Sequence, residues 1–560
     1  MERSGSSRGV LGLFPLRAVF KDPIHVLIPV NRLEYEVIEH PAFLRLHGIK
    51  QLGFTYLVYP QAKHTRFEHS LGSMHVAHLM AESILRTNPS IRDELLEEGG
   101  GELFVQLVRL SALLHDIGHL PYSHATEQSI EEAHRRGSLE GSLRELLSRS
   151  KRRLHELGGC SMAEKLLREV SARWEGEHGE LVERLAEAAL AALCASSGRG
   201  EKTRIFTEPA IELARSIISG HVIDADRMDY LVRDAYNTGA TYGRVDVERL
   251  ASGVSARIAD GEVKIIYPAK LLSNIEELYY SRYMMYRWVY MHHKVLAMEL
   301  TYSRLLQLAA EAWPEALDCV ERLVPSPPRA LWDLFHPETI WRYVVESNIR
   351  VDDGFVDVML SSIAKCSGRR DVEEWASRLF RRRPPYVPLA KRQEVLMARL
   401  ARKLSEARGL GPPEVSWVEY ARDSLRALSE LVPRRWESYE SLAELLEREV
   451  NRELGERGRE LKVVVKLYAP ITSGELREPL IDAEGELIPL AQVSSMVRAV
   501  HEIGGAPTIF LFAYVESEAE RRNFDRRTAG EYALGALARC LRRLLEEEVE
   551  DSTSRPTVAP

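Results

Sequence analysis

Two imidazoles and two carboxylates, carried on three separate apolar segments, are the residues of this chain best suited to chemistry. His69 ends the run Arg66-Phe67-Glu68-His69. The pair His115-Asp116 sits in Leu113-Leu114-His115-Asp116-Ile117-Gly118-His119. Asp226 lies in Ile223-Asp224-Ala225-Asp226-Arg227-Met228-Asp229-Tyr230. Imidazole nitrogen and carboxylate oxygen in this ratio suit one borderline divalent metal, Fe, Mn or Zn, with open positions left over. Histidine followed directly by aspartate on one helix is a poor core choice, because adjacent side chains diverge by about 100°. One ion within reach of both gives the pair a reason. Such an ion acidifies a water and polarises a phosphoryl oxygen.

Rigid elements must hold these groups. Apolar residues recur at three- and four-residue spacing over Leu33–His47, His69–Thr87, Glu102–His115, Met162–Cys194 and Glu208–Tyr236, which predicts helices. On the last of these, Asp226, Tyr230 and Asp234 fall at i, i+4 and i+8 and share one face. Strand signals are few: Ile24–Val30, and a hairpin Ala256–Ile258 and Val263–Tyr267 turned by Asp260-Gly261. Loops are expected at Ala195–Lys202, Val324–Arg329 and Arg381–Pro388. The texture changes near residue 455: Leu461–Tyr468 and Thr508–Val515 read as strands flanking a helical Leu490–Ile503, and Gly530–Glu548 reads as a final amphipathic helix. The expected fold class is mainly α. It comprises a 1–17 extension, a helical core with short β-hairpins over 18–320, a helical extension over 321–455, a smaller α+β region over 456–550 and a disordered tail, 551–560.

With 45% hydrophobic and 28% charged residues, 560 residues have ample material for a large core, and a net charge of −8 gives no global case for nucleic-acid binding. Five cysteines without a CxxC read as reduced thiols of a cytoplasmic protein. No apolar run is long enough to span a membrane, and the N-terminal patch Val10–Leu16 is too short for a signal sequence. Abundant arginine with sparse Asn and Gln fits a heat-adapted or GC-rich source.

The chain also carries Asp22-Pro23-Ile24-His25, Ile49-Lys50-Gln51-Leu52-Gly53, His64-Thr65-Arg66-Phe67-Glu68-His69-Ser70-Leu71-Gly72 and Pro121-Tyr122-Ser123-His124, and the segments Asp224–Asp234 and Arg282–His292. With these motifs it resembles the HD-domain phosphohydrolases. More narrowly, it resembles the deoxynucleoside triphosphate (dNTP) triphosphohydrolases of the SAM-and-HD-domain type over residues 18–300, with no counterpart of the SAM module. The resemblance implies His69, His115, Asp116 and Asp226 as ligands of one transition metal, with Mg accompanying the nucleotide. It implies His124 as the acid that protonates the leaving 5′-oxygen, Glu127 and His155 as partners keeping it protonated, and His119 beside the α-phosphate or the water. Glu127 stands where the family has aspartate. Arg66, Arg227 (lysine in the family) and Arg282 would meet the triphosphate. Gln51 and Asp234 would meet the 3′-hydroxyl, and Tyr230 and Tyr290 would crowd out a 2′-hydroxyl. In the animal enzyme guanine nucleotides bind between subunits. The matching positions here are Ala18, Glu39, Leu44 and His47, so that site is not expected to carry over.

The reading favoured by these residues is a dNTP triphosphohydrolase with a nucleotide substrate, forming a homo-oligomer (dimer or tetramer) with no membrane partner; a nucleic-acid partner is open but not indicated. An HD-type nucleotidase or phosphodiesterase acting on monophosphates or nucleic-acid ends would not need Arg66, Arg227 and Arg282 together. A non-catalytic nucleic-acid-binding scaffold with a vestigial site would have lost ligands, and none of the four is lost.

Overall fold

The computed structural model describes residues 14–554 except 90, 92–99, 151, 195–204, 221–222, 260–261, 414, 437 and 472–479. The class is mainly α, as the apolar periodicity implies, with three small sheets among the described residues. The expected turn Asp260-Gly261, the loop Ala195–Lys202, the end of the tail and most of the 1–17 extension lie outside the described residues. No helix among them is long and apolar enough to cross a membrane.

The chain divides into two compact units: Met1–Tyr290 with Tyr302–Ser377 and Arg477–Val497, and Met291–Thr301 with Arg378–Leu476 and Arg498–Pro560. The first unit opens with an antiparallel pair, β1 (Leu16–Asp22) and β2 (Val26–Asn31). The sequence reading finds only the second strand, because β1 has no clean apolar alternation. Asn31 and Glu34 then form a capping box that starts α1 (Arg32–Ile38). The expected long helix Leu33–His47 breaks after α1, since the residue before Pro41 is pushed to extended backbone: His40 has ψ 134°.

The centre of this unit is α2 (Arg66–Thr87), buried on nearly every side and packed by α3 (Gly100–Leu114) and by α8 (Ala225–Thr238). Gly72 is the device that lets α8 approach: a Cβ there would lie 1.9 Å from Asp229 Oδ1 and 2.4 Å from Arg233 Nη2. Between α3 and α8 run α4 (His124–Arg135), α5 (Leu154–Ser171), α6 (Gly176–Cys194) and α7 (Glu208–Ser219). Met162–Cys194 and Glu208–Tyr236 are therefore each two helices rather than one, the first broken before Gly176 at φ 63°. A hairpin, β3 (Ser255–Ala259) and β4 (Glu262–Pro268), is extended in parallel by Leu480–Ala483 and then Glu486–Pro489. Beyond it come α9 (Leu272–Met285), a π-turn Tyr286–Tyr290, α10 (Trp313–Val320) and α11 (Asp353–Cys366).

In the second unit α12 (Gln393–Arg408), α13 (Trp417–Arg435), α14 (Tyr439–Glu456) and α15 (Arg526–Ser554) enclose a core including Leu400, Leu425, Leu446, Val465, Leu511 and Leu537. Its sheet has Thr508–Tyr514 between Lys462–Tyr468 and Tyr386–Pro388. Two expectations change here. Tyr386–Pro388 is an edge strand rather than loop, a position that spares Pro388 a missing ladder donor. The last helix continues to Ser554, past Asp551 where the disordered tail was expected.

The cysteines differ too. Cys160 pairs with Cys194, tying α5 to α6, and Cys319 with Cys366, tying α10 to α11; only Cys540 is free, and it is buried. Partners 34 and 47 residues apart leave no spacing signal in a sequence. Such bonds persist in oxidising compartments and in the intracellular proteins of hyperthermophiles.

Candidate active site

His69 lies on the first turn of α2, fully buried. Its Nδ1 hydrogen-bonds Asp229 Oδ2 at 2.8 Å, which fixes the proton there and turns Nε2 to Asp226 Oδ1, 2.9 Å away. Asp229 is itself pinned by Arg233 Nε and Nη2, both at 2.9 Å, and by His25 Nε2 at 2.7 Å, and Arg233 reaches on to Asp22. His115 is positioned differently. Contrary to expectation, it and Asp116 do not lie on a helix: α3 ends at Leu114 and the pair occupies the following turn. That turn is held by Arg45, which donates to Ile117 O. His115 Nδ1 donates to Ala112 O at 2.7 Å, and its Nε2 is buried without a hydrogen-bond partner, 3.6 Å from Asp226 Oδ1 and 3.4 Å from Asp116 Oδ1.

Ligand atoms of His69, His115 and Asp226 lie within 4.8 Å of one another, and Asp116 Oδ2 is 3.7 Å from His69 Nε2. Two imidazole lone pairs with their other nitrogens engaged, facing two carboxylates, are a donor set that fits a divalent cation. The electrostatics agree. Burial opposes charge on His69, yet the bonds to Asp226 and Asp229 outweigh it and raise its pKa to about 10. A pocket that draws a proton this strongly is short of positive charge.

Beside this pocket, the Pro121-Tyr122-Ser123 turn launches α4 with His124 as its first residue. Tyr122 and Ser123 take φ 56° and 49°, unusual for residues with a Cβ. The turn is over-determined. Asp353 Oδ1 accepts from Tyr122 N–H at 2.7 Å, the Tyr122 ring stacks on Phe54 at 4.3 Å, its hydroxyl donates to Asp357, and Ser123 Oγ accepts from Arg66 Nε. His124 Nδ1 lies 3.3 Å from Glu127 Oε2, and Glu127 Oε1 meets both Nδ1 (2.8 Å) and N–H (3.0 Å) of His155. His119 stacks on His155 at 4.5 Å and reaches Asp116 Oδ1 with Nε2 at 3.1 Å, linking the two groups.

Although burial opposes ionisation of Glu127, its bonds to His124 and His155 win and hold it far below the usual carboxylate range. For His124 desolvation lowers the pKa, Glu127 recovers part, and Arg66 lowers it again, so it ends below the ordinary value. Glu127 thus pulls His124 toward its charged form and Arg66 away from it. Burial holds His119 well below its ordinary value, with Arg66 adding to the effect.

His155 reaches this cluster because α5 crosses the His115–His119 turn backbone to backbone. A Cβ on Gly118 would sit 2.1 Å from both Gly159 N and His155 O. Gly118→Ala is therefore expected to push α5 and His155 away, costing about 1–3 kcal/mol of stability and most of the activity. Thermal unfolding beside an activity assay checks this, and an unchanged variant would mean α5 yields freely.

Farther along α8, Asp234 is engaged on both oxygens, by His64 Nε2 and Tyr290 OH, each at 2.7 Å. The π-turn brings Tyr290 there, with its ring 6.4 Å from Tyr230. Gln51, whose backbone N–H donates to His64 O at 3.0 Å, has its side-chain Oε1 buried without a hydrogen-bond partner. Arg66 is buried and paired with Asp116; Arg227 pairs with Asp224 and donates to Gly220 O; Arg282 lies over the Tyr286 ring. Sequence reasoning passed over His64, Asp229, Arg233 and His25. The i, i+4 spacing of Asp229 and Arg233 was the one available signal.

Residues 66–234 match the HD domain. The chain is 36% identical over 277 residues to an uncharacterised protein of Methanocaldococcus jannaschii, covering 50% of this chain and 46% of that protein. It is 26% identical over 367 residues to the deoxynucleoside triphosphate triphosphohydrolase SAMHD1 of Gallus gallus, covering 63% and 53%. The chain thus spans about half the length of the curated relatives it matches. In fold it is similar to the crystal structure of a phosphohydrolase from Bacteroides thetaiotaomicron, with TM-score 0.56, 19% identity, and 89% of this chain and 100% of that chain covered. The chain therefore carries an HD domain and resembles the phosphohydrolases built on it, dNTP triphosphohydrolases among them.

Proposed function

We propose that this protein is a metal-dependent phosphohydrolase that cleaves dNTPs to a deoxynucleoside and inorganic triphosphate. The observation that carries the reading is the pair of imidazoles, His69 and His115, whose Nδ1 atoms are held and whose Nε2 atoms face Asp226 and Asp116. When bound there, a divalent ion supplies Lewis acidity toward a phosphoryl oxygen and lowers the pKa of water. Arg66, Arg227 and Arg282 are the cations assigned to the triphosphate, where guanidinium suits phosphate geometry. Hydrolysis at the α-phosphorus breaks its bond to the 5′-oxygen. His124, with Nδ1 turned to Glu127, offers Nε2 to protonate that oxygen. His119 and His155 line the space between. Incubating the protein with each dNTP and Mg²⁺ or Mn²⁺ tests the reading. Release of inorganic triphosphate is expected. Release of monophosphate or orthophosphate instead would replace it with the nucleotidase reading.

The sugar end gives a second expectation. Tyr230 and Tyr290 flank the route from the metal-type residues to Asp234, and the Gln51 carbonyl lacks a partner that a 3′-hydroxyl would supply. A ring against the sugar edge leaves a 2′-hydroxyl buried and unpaired, a cost of about 1–3 kcal/mol, or roughly ten- to a hundred-fold. Deoxynucleotides should be preferred by that factor over ribonucleotides, and Tyr230→Ala or Tyr290→Ala should shrink it. Equal hydrolysis of ATP and dATP would overturn this.

A further inference from the structure

The second unit contains an open cleft of about 420 Å³ between α12, α15 and the segment that follows α14, within the range that holds small ligands. Its charged lining is one-sided. Lys403, Arg457, Arg459, Arg539 and Arg542 face it, against only Glu406 and Glu531. This is a local reversal in a chain of net charge −8. The carboxylates are also over-subscribed. Glu531 is shared by Lys403 (3.2 Å) and Arg399 (3.0 Å), and Glu406 by Lys403 (3.2 Å) and Arg402 (3.1 Å). Behind the wall, Glu453 serves Arg457 (3.3 Å), Arg539 and Arg543 (3.8 Å) together. Arg542 spends one nitrogen on Ala407 O and lies 3.5 Å from Glu546. Arg459 has no carboxylate partner among the described residues; its guanidinium lies over the Tyr532 ring, 4.1 Å from the centroid.

A second feature points the same way. Gly535 lines the cavity from the interior of α15, where glycine weakens a helix relative to alanine. Its φ is not positive, and a Cβ there would meet only the Arg539 guanidinium, at 3.4 Å. Neither backbone conformation nor close packing requires glycine. What its missing side chain does is keep the cavity open beneath the arginines.

We infer that this cavity is a binding site, separate from the HD-domain residues, for a small polyphosphate anion. Converging guanidinium groups in a cleft focus positive potential and match phosphate oxygens in pairs. The stacked Arg459–Tyr532 pair at the rim offers a flat surface to a base if the polyphosphate belongs to a nucleotide. Inorganic polyphosphate and nucleoside polyphosphates share the recognised chemistry.

Calorimetric titration of the full chain with inorganic triphosphate and, separately, with ADP tests the inference. Gly535→Leu fills the cavity while raising helix propensity, so folding is preserved, and dNTP hydrolysis should stay within two-fold of wild type. Arg457→Glu/Arg459→Glu reverses the charge from the other wall. The expected result is a triphosphate-binding event that both variants weaken by at least ten-fold and that Arg66→Gln leaves unchanged, distinct from any product binding at the HD-domain arginines. If Tyr532→Ala then weakens ADP alone, the ligand is a nucleotide; if it weakens neither, the phosphate chain alone is read. Identical triphosphate stoichiometry and affinity in wild type, Gly535→Leu and the double variant would overturn the site, whatever the hydrolysis assay shows.

Discussion

Asp226→Ala, or His115→Ala with Asp116→Ala, is expected to take the protein from about one tightly held Fe, Mn or Zn per chain to essentially none, and to abolish hydrolysis without unfolding it. The fold should survive because these groups are not what holds α2 to α8. That work falls to Asp229, which joins His69, His25 and Arg233 and is wholly buried. Asp229→Ala is the informative contrast. It leaves all four proposed ligands in place, removes the bond that orients His69, and leaves the buried Arg233 guanidinium with Asp22 as its one carboxylate. Loss of an orienting partner typically costs 10–100-fold in metal affinity, and breaking a buried ion pair up to about 3–5 kcal/mol, less here because Asp22 still pairs with Arg233. Asp226→Ala should thus lose metal and melt like the metal-free wild type, while Asp229→Ala loses part of its metal affinity and melts below the metal-free wild type. Metal analysis alongside thermal unfolding separates them, and full metal occupancy in Asp226→Ala would sink the ligand assignment.

The contrast marks what a sequence can carry. That His69, His115, Asp116 and Asp226 come together was legible because side chains able to bind a metal stand out among apolar neighbours. The helices that carry His69 and Asp226, and the one that ends just before His115, were legible because apolar residues recur along them at three- and four-residue spacing. Asp229 and Arg233 were not. On paper they are an ordinary i, i+4 pair on a surface helix, and only the packing of α8 onto Gly72 makes them the support of His69. The turn carrying His115-Asp116 read as helix because Leu113, Leu114 and Ile117 continue the apolar pattern past the last helical residue. Strand β1 pairs with the adjacent β2 but lacks the apolar alternation that marks a strand. The edge strand at Tyr386–Pro388 and the two cysteine pairs depend instead on residues far away in the chain. Local pattern has no access to such partners.

His124→Ala is expected to keep metal and nucleotide binding and to lose on the order of 10²–10⁴ in turnover, the usual worth of a positioned acid. Its pH dependence tests the role more sharply. A general acid acts in its protonated form, and the protein by itself holds the His124 pKa below the ordinary 6.5, through desolvation and the nearby Arg66 against the pull of Glu127. For the free protein, kcat/KM should therefore fall as pH rises through a value under 6.5. A bound triphosphate places several negative charges beside Arg66 and His124, which cancels the arginine's effect and favours the imidazolium. The limb seen in kcat should accordingly lie at higher pH than that in kcat/KM. Arg66→Gln should move the kcat/KM limb upward even as substrate binding weakens. In His124→Ala both limbs should vanish, leaving a flat residual rate. Glu127→Gln removes the charge but keeps an acceptor for both histidines, so it should shift the limbs downward without abolishing them. A His124→Ala variant within a few-fold of wild type, or one that keeps the limb, would show that another group, with His119 next in place, protonates the leaving oxygen.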